Sequence, residues 1–466
     1  SEIFAVYKPG AYDTESKYRK NLAYDSDILS EINSNNSNYG VASSFRYVGN
    51  VGDRGGAVAD ETADWLTKSA ANDGPVKVKL ATPTEFFNSI TPAEKSTLHV
   101  WDNELPMETH GVGCYSSQTI LKYWNRRNEL LADATEKTSV LAHWLGGLPY
   151  QSEPIRNSWT NVLWHQFHDD LPGTSLPQAY NFTYNDHILA QKNLSNVFNN
   201  AIGAVTRQMN TEVTGIPIVV SNPLSIERED IVEVNIPLEA EPSSISVYAP
   251  DGSAVAAQKN GYKDGQLSLI FLAKVPSLGY TTYDLRLEDN ASASVSPNLT
   301  ITANTIENDE YKITVDANGD VSSILDKKQG NAELLKSPIR QSMSLDQPGY
   351  WLAWEISRGD IERAPYGYVG KDATVSIAEN GPLRASLKIT RSANMDRDND
   401  VPSTFTPSEF VQYIRMTSHG SKDRIDFVNE IDWKTTETFL KAEFELNATN
   451  EKATFDLSIG AIERKT

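Results

Sequence analysis

One cysteine, Cys114, stands in a chain of 466 residues. That scarcity excludes an internal disulfide framework and any cysteine-rich zinc module. Basic residues are few as well: 42 Lys and Arg against 62 Asp and Glu leave a net charge of −20. Such a balance argues against a protein that binds DNA or RNA, whose phosphate contacts need clustered Lys and Arg. No apolar run approaches the roughly 18 residues of a membrane-spanning helix. The chain opens at Ser1 without an initiator Met or signal peptide. It ends at Thr466 directly after strand-like sequence, and both ends read as those of a portion of a longer protein. A targeting signal would then lie upstream, and the compartment stays open.

What is present describes a globular protein. Apolar residues make up 39% and charged residues 22%, enough to bury a sizeable core. At roughly 150 residues per domain the length suggests about three domains. Nine Trp and twenty Tyr in an acidic chain suit a protein that handles carbohydrate, where rings stack on sugar faces and carboxylates bond hydroxyls; core packing uses the same residues.

Three textures follow one another. Up to about residue 100, short extended runs (Phe45–Val48, Val76–Leu80) mix with a helix over Ala59–Ala71 that sets Ala63 and Leu66 on one face, as in the tail of an α/β domain. From about 115 to 210 the pattern is helical. The first helix spaces Ile120, Trp124, Leu131 and Ala134 at near-heptad intervals. A second is expected over Ser158–Asp170. The last carries Leu194, Val197, Phe198, Ala201, Ile202 and Val205 on one stripe, and together they read as a three-helix bundle. After Gly215 the pattern turns to β. Ile216–Val220, Ile231–Val234, Leu267–Ile270, Tyr311–Val315 and Val321–Leu325 are strands, Asp251-Gly252 and Asn318-Gly319 are turns, and Glu288–Asn298 is a linker. Residues 216–466 therefore read as two β-sandwich units.

Three segments carry candidate chemistry. Trp159 to Gly173 holds the densest cluster. On a helix at about 100° per residue, Trp159, Val162, Leu163 and Phe167 form the core stripe, and His165, His168 and Asp169 share the opposite face until Leu171-Pro172-Gly173 ends the helix. Two imidazoles and a carboxylate suit a metal site, although one helix supplies only part of a ligand set; a solvated polar face has the same pattern. Gly52-Asp53-Arg54-Gly55-Gly56 lies in a strand-to-helix loop whose glycines leave Asp53 unobstructed for general acid work, and a plain tight turn reads the same way. Trp101 to Gln118 is a polar, glycine-punctuated junction, suited to a cleft or to an ordinary interdomain loop. Cys114 lacks a partner motif for nucleophilic catalysis and reads as structural.

Taken in order, these segments resemble the glycoside hydrolase family 38 α-mannosidases. The resemblance runs through Gly52–Gly56, Asn103-Glu104-Leu105, Tyr115–Gln118, Asn125–Leu131, Gln166–Thr174, Val220–Leu224 and Ile306–Lys327. It implies a retaining exo-α-mannosidase that removes terminal α-linked mannose from glycans or oligosaccharides with a divalent cation, usually zinc. On the matching positions His168 is the metal ligand, Asp169 contacts the bound sugar and Asp53 is the acid/base, with Asp60 the nearest alternative; His165 receives no role. The family's His-x-Asp pair and nucleophile find no match, so they are expected upstream of Ser1, and the chain alone is expected to be inactive. The implied fold is multidomain α+β. It comprises the tail of an α/β, seven-stranded-barrel-like catalytic domain over 1–100, the helical bundle over 101–214, a small β-sandwich over 215–290 and a large, incomplete one over 299–466. Assembly into a homo-oligomer through the β domains is a family habit. The competing expectation is a non-catalytic, carbohydrate-binding β-sandwich protein with a helical spacer. The Asp53 loop and the His168-Asp169 segment weigh against it.

Overall fold

The structure, a computed structural model, describes residues 3–6, 15–48, 57–102, 104, 110–288, 298–370, 373–393, 406–420, 422–457 and 460–466. The chain divides into two compact units, Ser1–Pro106 and Met107–Thr466.

The first unit is helical among its described residues: α1 (Ser26–Tyr39), α2 (Asp60–Ala71), α3 (Pro83–Ser89) and α4 (Pro92–Lys95). Local chemistry starts each helix. Asp25 caps α1 by accepting the N–H groups of Asp27 and Ile28. Thr82 with Glu85 and Thr91 with Glu94 form reciprocal capping boxes ahead of α3 and α4, each followed by Pro. The helix expected over 59–71 is present, but its inner face is Thr62, Leu66 and Ser69, and Ala63 is exposed. The polar members face inward because they are used: Arg19 Nε donates to Thr62 Oγ1 at 3.2 Å, and Ser69 Oγ accepts Leu22 N–H at 2.9 Å. Phe45–Val48 and Val76–Leu80 are extended but join no ladder. A strand exists only through its neighbour, and here the runs pack through side chains instead. Phe45 lies against Phe86, and Val48 and Val78 against Tyr18, Leu22 and Leu66.

The second unit opens with three long helices, α5 (Thr119–Gly146), α6 (Ser152–Trp164) and α7 (Ala179–Thr206). On α7 the buried set Leu194, Val197, Ala201 and Val205 follows the expected stripe. On α5 it does not. Its buried face is Leu121, Asn125, Asn128, Ala132, Thr135, Thr138, Ser139 and Ala142, while Ile120 is exposed. Small and hydrogen-bonded residues let α5 and α7 approach closely. Thr135 Oγ1 bonds Leu131 O at 2.6 Å, and a Cβ on Gly146 would stand 2.8 Å from Ala204 O.

The β region follows. A four-stranded sheet orders Ile216–Asn222, Gly279–Leu287, Ile245–Tyr248 and Ala254–Val255; a three-stranded one orders Arg228–Pro237, Gln266–Val275 and Ala257–Lys263. Alternate residues of Gln266–Val275, including Leu267, Leu269, Phe271 and Ala273, meet Val247, Tyr283 and Leu285 in one core. Beyond Leu299 a five-stranded sheet containing Tyr311–Val315 and Val321–Asp326 packs on a four-stranded one containing Arg384–Ser392 and Glu409–Thr417. The turn at Asn318-Gly319 joins the first of these pairs, with Gly319 at φ +77°. Most of the segment expected as a linker, residues 289–297, lies outside the described residues. None of the sheets among the described residues closes into a barrel.

Candidate active site

The segment expected to run as helix through Asp170 stops earlier. α6 ends at Trp164 and His165 is its C-cap. The buried face of α6 is Ile155, Ser158 and Val162, continued by His165, which is 4% exposed. Leu163 and Phe167, assigned to the core stripe, are 58% and 56% exposed. The stripe is rotated because polar groups inside the unit claim His165. Its Nδ1 lies 2.5 Å from Asp170 Oδ2 and its Nε2 3.1 Å from Asp186 Oδ2. His165 therefore does not share a solvent face with His168 and Asp169.

Residues 166–174 form a turn fastened to α5. Gln166 Nε2 donates to Asn125 Oδ1 at 3.1 Å and to Glu129 Oε1 at 2.9 Å. Lys122 Nζ bridges Ser117 O at 2.5 Å and Leu171 O at 2.8 Å; burial lowers its ammonium below the usual lysine range. Gly173, at φ +89°, sits so close to Ser117 that a Cβ would stand 2.7 Å from the Ser117 carbonyl oxygen. Those contacts bring Ser117, Asn125 to Glu129 and Gln166 to Gly173 together from separate stretches of sequence.

The turn presents His168 and Asp169 outward. The His168 side chain is 75% exposed and that of Asp169 35%, with Nε2 3.6 Å from Oδ2. Thr174 fixes Asp169 by donating its hydroxyl to Oδ1 at 2.9 Å and its N–H to the Asp169 carbonyl at 3.1 Å. His168 lies against the Phe167 ring, with centroids 4.1 Å apart. Asp53 and its loop, residues 49–56, lie outside the described residues, as do Asn103 and residues 105–109.

A neighbour that the sequence alone does not suggest comes from the β region. Residues 350–355 dock on 111–117: Gly113 N–H donates to Trp354 O at 2.8 Å and Ser117 Oγ to Ala353 O at 2.5 Å. Glu355 accepts Gly111 N–H at 3.2 Å and pairs with His110, whose ring stacks on Trp354. Tyr350, Trp351 and Leu352 project from this segment at 79%, 66% and 72% exposure. Two Trp within Trp351–Trp354 were the signal that could have drawn attention to it. Cys114 is buried between these groups. Burial pushes its thiol up, and the Glu355 and Asp169 carboxylates push the same way against Lys122.

The described residues hold no group of three His, Cys, Asp or Glu side chains able to bind a metal ion. His168 is accessible as one imidazole ligand, and Asp169 is the carboxylate beside it. That does not make a site, since a catalytic zinc takes about three protein ligands.

Two family patterns match the chain: the alpha mannosidase middle domain over residues 108–205 and the glycosyl hydrolases family 38 C-terminal domain over residues 306–466. Together they take in more than half of its length. Alpha-mannosidase G of Dictyostelium discoideum is 25% identical over 449 residues, which cover 89% of this chain and 39% of that protein. Alpha-mannosidase 2C1 of Homo sapiens is 22% identical over 452 residues, covering 94% and 38%. The chain thus spans about two fifths of the length of the curated relatives it matches. In fold it is similar to a solved family 38 protein from Enterococcus faecalis, with a TM-score of 0.65 at 16% identity over 88% of this chain and 53% of that one. The fastened turn falls inside the middle-domain match and the docked segment inside the C-terminal match, and on these two matches the chain belongs to glycoside hydrolase family 38.

Proposed function

We propose that residues 1–466 are part of an α-mannosidase that removes terminal α-linked mannose from glycans or oligosaccharides with retention of configuration. The observation that carries this reading is the turn at 166–174. It is fastened by half-buried, hydrogen-bonded side chains, yet offers His168 and a Thr174-oriented Asp169 to solvent. A turn with only a structural task has no need to hold a carboxylate in one orientation at its surface.

Each residue has a task in this reading. His168 supplies one ligand to a divalent cation, zinc being the expected one. Asp169 accepts from sugar hydroxyls, which suits a carboxylate with one oxygen held by Thr174 and the other free to bond. Asp53 gives a proton to the departing glycosidic oxygen and later takes one from water. Retention requires a second carboxylate as nucleophile at about 5–5.5 Å from the first. That carboxylate and the remaining ligands come from polypeptide beyond these residues, which accords with the 39% of Alpha-mannosidase G that the chain spans. Trp351 and Trp354 are carried by the segment that docks on 111–117, the stretch whose Ser117 also lies against Gly173 of the turn.

Two preparations test the proposal. The full-length protein should turn over an aryl α-mannoside, release the α-anomer first by NMR, and lose stoichiometric zinc and activity together on His168→Ala. Residues 1–466 alone should fold, bind zinc weakly and show no turnover. Stoichiometric metal in the His168→Ala protein, or turnover by residues 1–466 free of contaminating enzyme, overturns it.

A further inference from the structure

We propose that His165 is a positioning residue. Held between Asp170 and Asp186, it fixes the turn that carries His168 and Asp169; the inference rests on the roles given to those two residues above.

The geometry is that of a clamp. His165 caps α6, and both ring nitrogens face carboxylate oxygens, Nδ1 toward Asp170 and Nε2 toward Asp186. A carboxylate oxygen accepts a hydrogen bond from a ring N–H, so the imidazole spans the two acids and links them. Asp170 is gripped a second time by the hydroxyl of Thr183, 2.8 Å from Oδ1 and 3.1 Å from Oδ2. Thr183 and Asp186 both belong to α7. The clamp therefore ties the end of α6 and the middle of the turn to α7, whereas Gln166 and Lys122 tie the turn to α5.

Placement gives the clamp its consequence. Asp170 adjoins Asp169 in the chain, and the backbone here is tight: Asp170 N–H donates to Phe167 O and Gly173 N–H to Asp170 O, both at 3.0 Å. Drawing the Asp170 side chain inward sends His168 and Asp169 outward on the other side of the same turn. Beneath the clamp, Asn128 Nδ2 donates to His187 O at 3.0 Å and lies 3.2 Å from His187 Nδ1. The His187 Nδ1 is then an acceptor and its Nε2 carries the proton. Burial lowers the His187 imidazole below its usual range, and its ring centroid lies 5.5 Å from that of His165.

The test uses the full-length protein. Groups that orient a metal ligand typically contribute about 10- to 100-fold to metal affinity or activity. His165→Phe, which fills the space but bonds neither acid, should weaken zinc affinity in chelator competition by about tenfold or more. It should lower kcat on an aryl α-mannoside by a similar factor with a smaller change in KM, and His165→Gln should recover part of the loss. Asp186 is 34% exposed at its side chain, so Asp186→Asn is expected to fold even if His165→Phe does not, with a severalfold loss of the same kind. His165→Phe should also speed amide hydrogen exchange across residues 166–174, a readout that needs no metal. Zinc affinity and kcat within twofold of the parent for folded His165→Phe or Asp186→Asn, or unchanged amide exchange across 166–174, overturns the clamp. His168→Ala reports separately on the underlying site: retained zinc there removes that reading, while amide exchange of the turn in His165→Phe still decides whether the clamp exists.

Discussion

Gln166 reaches across to α5, where its side-chain amide donates to the carboxylate of Glu129 at 2.9 Å, joining positions 37 residues apart in the sequence. The same carboxylate oxygen accepts from Asn125 Nδ2 at 2.9 Å. One polar triangle therefore holds the turn to the helix. Gln166→Leu would leave Asn125 and Glu129 short of a donor in a largely buried place. A lost hydrogen bond to a charged group is worth about 1.5–3 kcal/mol, and urea denaturation should show a destabilisation of that order. Gln166→Glu should be worse, because it sets a second carboxylate against Glu129.

Gly173 offers a second handle on the turn. An L side chain is strained at φ +89°, and its Cβ would meet the Ser117 backbone at 2.7 Å. Gly173→Ala is expected to cost a few kcal/mol, more than the ~1 kcal/mol that glycine-to-alanine changes usually involve. The turn should also shift away from 111–117. Thermal denaturation gives the first effect, and faster alkylation of the otherwise buried Cys114 the second.

For Asp53 the expected outcome is kinetic. A general acid matters most when the leaving group is a poor one. In the full-length protein, Asp53→Asn should reduce kcat/KM far more on a disaccharide than on a nitrophenyl mannoside. Equal losses on both substrates would place the acid elsewhere, with Asp60 the first candidate.

The β region should carry a pH signature of its own. Asp320 is 4% exposed, and burial pushes its carboxyl up to about 6 although Arg391 lies 3.0 Å away. Desolvation outweighs the ion pair here, as it often does for buried charges. Between about pH 4 and 6 the folded state keeps a proton that the unfolded chain releases, so this group makes stability fall as pH rises through that window. The shift corresponds to about 3 kcal/mol. Asp320→Asn should remove that slope, measured as urea midpoints at pH 4.5 and pH 7, even though the unpaired Arg391 lowers stability at both.

The parts legible in the sequence are those where one physical rule dominates. Tyr311–Val315 alternates strictly, and its strand has those bounds. The α7 stripe was readable from Leu194 onward because apolar residues alone line that part of its inner face. The α5 face was not, because Asn125, Asn128 and Thr135 are buried through hydrogen bonds that hydropathy does not register. His165 misled for the same reason: a titratable residue near a helix end looks solvated until Asp170 and Asp186 are seen around it. Phe45–Val48 has the composition of a strand, but only pairing decides whether an extended run becomes one. His168 and Asp169 were singled out by their motif, although the helix expected beneath them ends four residues before His168.

The docking of residues 350–355 onto 111–117 also sets an order of events. Ser117 and Ala353 are 236 residues apart in the chain, whereas α5, α6 and α7 follow one another directly. Contacts between distant positions carry a larger loop-closure cost and tend to form late. The three helices should therefore assemble during synthesis before the β strands that bring Trp354 to Gly113 have left the ribosome. Until that arrival the 110–118 segment lacks the partners that close it. Recovery of helical signal after dilution from denaturant should outrun the recovery of tryptophan fluorescence reporting on Trp351 and Trp354.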